Sequence, residues 1–253
     1  LARPACGEII VVPIGLPASL TGMAGAKGRL LRKNSLAALL PTVAPEAHKG
    51  MRGHVAVLAG SAGTPGAARL AATAAACSRA GLVTLHADAD TYAIQASALT
   101  SVMVTPWSEA VDPDDLTRPA DSLVVGPGWG TEPARFRWLN QLLALPCCGV
   151  LDADAITLLA QSRDATGPLA GDWVLTPHPG ELARFLDATV PEVLADPNAA
   201  AAEVAERFGA VVVLKGHVTY VLAPGVNDDA AHPVEPSLSV VDGMQPWLAT
   251  GGS

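Results

Sequence analysis

From residue 54 onward the chain alternates short apolar runs with helix-like stretches, and most of the runs lead directly into Gly, Asp, Thr or Lys. The runs are residues 54–59, 82–86, 122–125, 149–151, 173–175 and 211–214. Between them lie Ala- and Leu-rich segments of helical character. Strands this short and this apolar are buried on both faces, which requires a mostly parallel sheet covered by helices on each side. The expected fold is therefore α/β, a three-layer α/β/α sandwich. Half of all residues are hydrophobic, enough for a large core, but only ten are aromatic (five Trp, two Tyr, three Phe). A core built largely from Ala, Val and Leu is expected.

Local signals set the helices. Thr64 is placed to cap a helix that has Pro65 at its first position, runs to about Ala80 and is stopped by Gly81. Further helices are expected over 91–99, from Thr131 to about 145, through 159, up to 186, and over 199–208. Residues 219–222 can return as a hairpin strand beside 211–214. Before residue 48 the pattern is different. A strand-like run at 8–12 precedes a Pro/Gly/Ser-rich stretch, a short amphipathic piece at 30–40 and a linker-like 41–45. A domain boundary is expected near Ala47.

The net charge of −8 and a pI near 5.1 argue against non-specific nucleic-acid binding and against a polybasic membrane contact. Cys6, Cys77, Cys147 and Cys148 have neither metal-ligand nor disulfide-framework spacing, and read as reduced thiols of a cytoplasmic protein. No apolar run reaches the ~18 residues of a membrane span.

Function is written in the loops. Gly60-Ser61, residues 126–130, Asp152 with Asp154, residues 176–181, and Lys215-Gly216 each follow a strand directly. In an open parallel sheet such loops share one edge, where these folds bind ligands. Residues 126–130 have the spacing G-x-G-x-G, not the dinucleotide fingerprint, and no Gly-Lys-Ser/Thr follows Gly60 as in a P-loop. Asp152 and Asp154 either cap the next helix or position loop backbone, or one of them binds a metal or a metal-bound phosphate. His178, stiffened by a proline on each side, suits a ligand-binding imidazole. Lys215 leaves a buried strand as a point charge suited to phosphate, and Thr219 adds a hydroxyl. The tail, residues 248–253, ends in Thr-Gly-Gly-Ser, a loop whose N–H groups suit an anion.

These stretches, together with His48-Lys49-Gly50, Pro65-Gly66-Ala67 and residues 80–84, resemble the NAD(P)H-hydrate dehydratases, a family with the ribokinase-like fold. The resemblance covers residues 48–253. It implies removal of water from the S epimer of hydrated NADH or NADPH, driven by ADP or ATP with Mg²⁺. Carried over by position, Ala67, Gly128 and His178 would touch the hydrated nicotinamide. Lys215, Gly216, Thr219, Gly251, Gly252 and Ser253 would hold the nucleotide. No metal ligand of the chain itself is assigned. In the family a Gly-Asp follows the Gly-Gly-Ser, and that Asp is the expected base. It lies beyond Ser253, so the expectation is a C-terminally truncated domain with little turnover. Residues 7–17 resemble the last strand of the NAD(P)H-hydrate epimerase domain, fused ahead of the dehydratase in many bacteria, with Pro13 where that family has Asp. Residues 1–47 would then be the end of such a domain plus a linker. The alternatives are a sugar or vitamin kinase of the same fold, or a non-catalytic nucleotide-binding remnant. The Ala-rich face of residues 67–76 suits either the sheet or a second copy in a homo-oligomer.

Overall fold

The structure, a computed structural model, describes residues 44–161 and 167–225, together with Val12, Ile14, Gly15 and Leu31. The expected strand at 8–12 (Val12 apart), the amphipathic piece at 30–40 (Leu31 apart), residues 41–43 of the linker and residues 248–253 lie outside the described residues. Among the described residues, every helix and strand belongs to one compact unit, Thr42–Val226.

After a 3₁₀ turn at Lys49–Arg52, the elements alternate as the apolar runs require. They are β1 His54–Leu58, α1 Pro65–Cys77, β2 Leu82–Asp88, α2 Ala89–Ala98, β3 Met103–Trp107, α3 Pro113–Thr117, β4 Ser122–Val125 and α4 Pro133–Leu142. Then come β5 Gly149–Leu151, α5 Asp154–Gln161, β6 Trp173–Leu175, α6 Pro179–Leu186, α7 Val190–Ala195, α8 Pro197–Phe208, β7 Val211–Leu214 and β8 Tyr220–Leu222. The sheet order is β3-β2-β1-β4-β5-β6-β7-β8. Every pairing is parallel except β7 with β8, the expected hairpin.

Strand alternation divides the core into two layers. On β1, Ala56 and Leu58 face a cluster that includes Leu139 and Leu142 of α4, Ile156 of α5 and Phe208 of α8. Val57 and Ala59 face the other side, against Ala68 and Ala72 of α1. This is the three-layer sandwich expected from the sequence. The expected core composition holds: Ala, Val and Leu supply most of the buried side chains in both layers. Small aliphatics alone line the α1 face, and the larger layer adds Trp107, Trp129, Trp138, Trp173, Phe185 and Phe208, all buried. These few aromatics all sit in the larger layer, where each ring buries a large apolar area.

Helix starts follow their signals. Pro65, Pro113, Pro133, Pro179 and Pro197 open five helices, each at a place where the missing N–H would be unpaired anyway. Asp112 and Asp196 accept the free N–H groups of Asp114 and Ala199. Thr64 is the N-cap residue of α1, but its hydroxyl does not cap; it reaches across to the loop after β4 instead. α1 also ends three residues earlier than expected, with Arg79 at φ 71° turning the chain. Gly81 serves another purpose, donating its N–H to Gly53 O at 3.0 Å. No helix among the described residues is long and apolar enough to cross a membrane.

Candidate active-site crevice

The sheet reverses direction of winding between β1 and β4, and the chain leaves both strands at the same edge. That switch point is where an open α/β sheet leaves room for a ligand. The two loops meet there. Gly60 N–H donates to Pro127 O at 2.9 Å, and Gly126 N–H donates to Leu58 O at 3.0 Å. Gly126 takes φ +117°, and a Cβ on it would overlap the Asp152 carbonyl. Only glycine fits this crossing of β4 over the next loop. Gly128, at φ +59°, has no room either: a Cβ would lie 2.6 Å from Thr64 Oγ1 and 3.0 Å from Ala67 Cβ. Thus Ala67 and Gly128, two expected substrate contacts, are neighbours across the crevice floor.

Side chains from three elements hold the turn that carries Gly128. Thr64 Oγ1 donates to Gly128 O at 2.6 Å. Arg135, on α4, donates to Trp129 O. Gly130 N–H donates to Asp154 Oδ2 at 2.8 Å. Backbone groups that would otherwise move with a flexible Gly-Pro-Gly turn are fixed one after another. Such fixed geometry is what a ligand site on a loop requires.

The loops after β5, β6 and β7 continue the edge. Asp152 Oδ1 accepts from Thr176 Oγ1 at 2.7 Å and from Lys215 Nζ at 2.6 Å. Lys215 N–H donates to Pro177 O at 2.8 Å, which locks β7 to the loop after β6. The Lys215 side chain is 45% exposed, so its ammonium is held at the surface of the crevice, open to an anion. Asp154 therefore positions loop backbone, at Gly130, one of the expected alternatives, while Asp152 orients Lys215. Among the described residues no group of three or more His, Cys, Asp or Glu is placed to hold a metal ion.

His178 is the N-cap of α6. Its Nδ1 accepts from Gly180 N–H at 3.0 Å and from Glu181 N–H at 3.2 Å. Glu181 returns the contact, accepting His178 N–H at Oε2 at 2.8 Å. This reciprocal box is usually made by Ser or Thr with Glu. Because Nδ1 is used as an acceptor, the hydrogen-bond network assigns the ring proton to Nε2. The half-exposed imidazole thus offers an N–H donor, with Glu181 Oε1 3.5 Å away.

Gly216 and Thr219 are exposed between β7 and β8, on the crevice side of the hairpin. Gly251, Gly252 and Ser253 lie outside the described residues. His48 and Lys49 fall at the 3₁₀ turn before β1, at the opposite end of that strand from Gly60. The sequence signals did not point to Thr64 as a loop anchor, nor to Arg135 or Asp88. Nothing in local spacing brings those three to the Gly128 turn; the fold does.

A doubly wound sheet with helices on both faces and an anion-ready crevice at its switch point defines a ribokinase-like α/β protein. An Enterococcus faecalis ribokinase-like superfamily protein superposes with a TM-score of 0.67 at 25% identity, over 76% of this chain and 68% of that one. The ADP/ATP-dependent NAD(P)H-hydrate dehydratase of Bacillus subtilis, co-crystallised with ATP/Mg²⁺, gives a TM-score of 0.65 at 28% identity, over 73% and 65% of the two chains. Residues 55–253 match the family model described as NAD(P)H-hydrate dehydratase. The chain belongs to the NAD(P)H-hydrate dehydratase family. It is 37% identical over 247 residues to the bifunctional NAD(P)H-hydrate repair enzyme Nnr of Coxiella burnetii, covering 98% of this chain and 48% of that protein. It is 38% identical over 188 residues to the ADP-dependent (S)-NAD(P)H-hydrate dehydratase of Neisseria meningitidis, covering 72% of this chain and 62% of that protein. The chain spans about half the length of the bifunctional relatives it matches.

Proposed function

We propose that this protein restores NADH and NADPH by removing water from the S epimer of their hydrated forms, using ADP, with ATP as an alternative. The observation that carries the proposal is the continuous crevice edge. Ala67 and Gly128 meet at one end of it, and Lys215 is held at the other by Asp152 and Thr176.

The chemistry follows from what such an edge can do. A ring hydroxyl is a poor leaving group. Transfer of the terminal phosphoryl group of ADP to that oxygen gives a phosphate ester and AMP. Loss of a proton and of phosphate then restores the ring double bond. Phosphoryl transfer asks the protein chiefly for positioning and for charge to meet the phosphate oxygens. Lys215 supplies a point charge, with Gly216 and Thr219 beside it on the β7–β8 hairpin; Gly251, Gly252 and Ser253 are further nucleotide contacts that the family resemblance implies. The hydrated nicotinamide lies against Ala67 and Gly128, and His178 gives it the Nε2–H donor. Magnesium, a hard cation, commonly binds through one or two carboxylates together with substrate phosphates. With Asp152 and Asp154 committed to Lys215 and Gly130, it would enter on the nucleotide rather than on a cage of the chain's own residues.

Residues 48–253 form the dehydratase domain in this reading, and residues 1–47 the end of a preceding epimerase domain with its linker. The names of the bifunctional relatives support that division. The substrate, a damaged form of reduced nicotinamide cofactors, favours the cytoplasm. Exposed Leu70 and Ile94 on α1 and α2 favour a homo-oligomer.

The test is to incubate the protein expressed from its complete gene with hydrated NADH and ADP. Regeneration of NADH absorbance, with one AMP and one phosphate formed per NADH, is expected. Phosphorylation of a sugar or vitamin alcohol, with no NADH regained, would replace this reading by the kinase one.

A further inference from the structure

Arg135 is 6% exposed, an unusual place for a guanidinium, and its surroundings use both terminal nitrogens. One Nη donates to Asp88 Oδ2 at 2.6 Å, and the other donates to Trp129 O. Its Cζ lies 5.2 Å from the centre of the Trp107 ring and 5.4 Å from that of Trp129, within cation–π range of both. Trp138 completes the cluster, edge-on to both rings, with centroids 5.5 and 5.7 Å away. Nε lies 2.9 Å from Glu132 Oε2 but outside hydrogen-bonding geometry, and Glu132 is largely exposed. That contact is screened and adds little.

This cluster is a costly way to fill space. A buried ion pair is often no better for stability than apolar side chains of the same volume. Here Trp107 Nε1 and Trp129 Nε1 are also buried without a partner among the described residues, and each such orphan donor is destabilising. Burial pushes the Asp88 carboxyl up, against the opposing pull of Arg135, which again marks a site where desolvation is tolerated. What the arrangement does achieve is geometric. Asp88 ends β2, Trp129 lies in the loop after β4, and β1 runs between those two strands. A planar fork anchored at one end by Asp88 and packed beside two indoles can hold a carbonyl in one place; the point charge of a lysine cannot. The carbonyl it holds belongs to the residue between Gly128 and Gly130.

We propose that Arg135 is a positioning residue for the hydrated nicotinamide: through Trp129 O, and braced by Asp88, it sets the backbone of Gly128 against Ala67. The inference rests on the reading of Gly128 as a substrate contact.

The test compares Arg135→Lys and Asp88→Asn with the parent protein, each expressed from the complete gene. Three quantities are read: KM for hydrated NADH, KM for ADP, and the near-ultraviolet circular dichroism of the tryptophan cluster. Arg135→Lys raises the hydrate KM tenfold or more and Asp88→Asn threefold or more. The ADP KM stays within twofold and the tryptophan bands persist. A hydrate KM within twofold of the parent in both variants overturns the proposal. So does a parallel rise of both KM values, which is what a purely structural role produces. If Arg135→Lys loses the tryptophan bands altogether, Asp88→Asn decides alone on the same criteria. A parent enzyme that regenerates no NADH refutes the functional reading instead. The positioning role is then read by amide hydrogen exchange at residues 128–130, which Arg135→Lys accelerates tenfold or more; unchanged exchange overturns it.

Discussion

Thr64 Oγ1 donates to Gly128 O at 2.6 Å, tying the start of α1 to the loop after β4 across the switch point of the sheet. The same hydroxyl lies 3.0 Å from Ser61 Oγ, so it is engaged in the loop contact rather than in capping its own helix. Replacing Thr64 by Val keeps the shape and removes the donor. A net hydrogen bond contributes about 1 kcal/mol, which corresponds to about a fivefold weaker hold on the turn. Thr64→Val is expected to raise the KM for hydrated NADH by roughly that factor, and Thr64→Ser to restore it. Steady-state kinetics of the two variants checks this.

Gly126 admits no side chain. Gly126→Ala must move the loop after β5 away from its place over β4, because the new methyl would overlap Asp152 O. The strained positive φ adds to the clash. A loss on the order of 3 kcal/mol or more in unfolding free energy is expected, measured by urea denaturation. Gly63→Ala, with open space around it, should change stability little.

His178 has two separable duties, capping α6 and donating from Nε2. His178→Ala removes both and is expected to cost about 1 kcal/mol of stability through the lost cap. His178→Asn keeps a capping side chain and should recover most of that stability. Thermal unfolding of the two variants reads the difference.

His86, on β2, is lowered to about 4 by burial and secondarily by the neighbouring His54. Its Nδ1 is 3.0 Å from Thr105 Oγ1 on β3. The native state keeps this imidazole neutral, whereas an unfolded chain protonates it near pH 6.5. Above that pH the group does not affect the balance. Between pH 6.5 and about 4 the unfolded state holds the extra proton, so stability falls as pH falls, by about 1.4 kcal/mol per unit at most. Over that window the loss is on the order of 3 kcal/mol. His86→Gln should flatten this part of the stability–pH curve, measured by chemical denaturation at fixed pH values.

The fold was legible because buried parallel strands leave a plain record: short runs such as Val-Val-Val-Leu before Lys215 need little context. The resemblance then supplied the expected ligands. Where the reading fell short, a tertiary reason exists. β3 contains Pro106 and lies at the edge of the sheet, where a strand needs only one partner and proline is tolerated. Its sequence, Met-Val-Thr-Pro-Trp, carries no clean alternation. Thr64 was correctly placed at a helix start, but capping is only one use of a hydroxyl there. Arg135 looks like an ordinary charged residue of an amphipathic helix; it is buried only because Asp88, 47 positions earlier, ends a strand beside it. Of the residues expected to bind ligands, Ala67 with Gly128 were brought together by a crossing that local spacing does not encode. Asp152 and Asp154, adjacent but for one residue, were sent to different partners by Ala153 at φ 49°.

In the proposed function one sheet edge divides into a nicotinamide half at Ala67, Gly128 and His178 and a nucleotide half at Lys215. Titration calorimetry of hydrated NADH and of ADP into His178→Asn and Lys215→Met separates the two halves. His178→Asn should weaken hydrate binding about tenfold, the scale of a lost 1–1.5 kcal/mol contact, and leave ADP within twofold. Lys215→Met should do the reverse. If both variants weaken both ligands equally, or if the order is inverted, the division of the crevice is wrong.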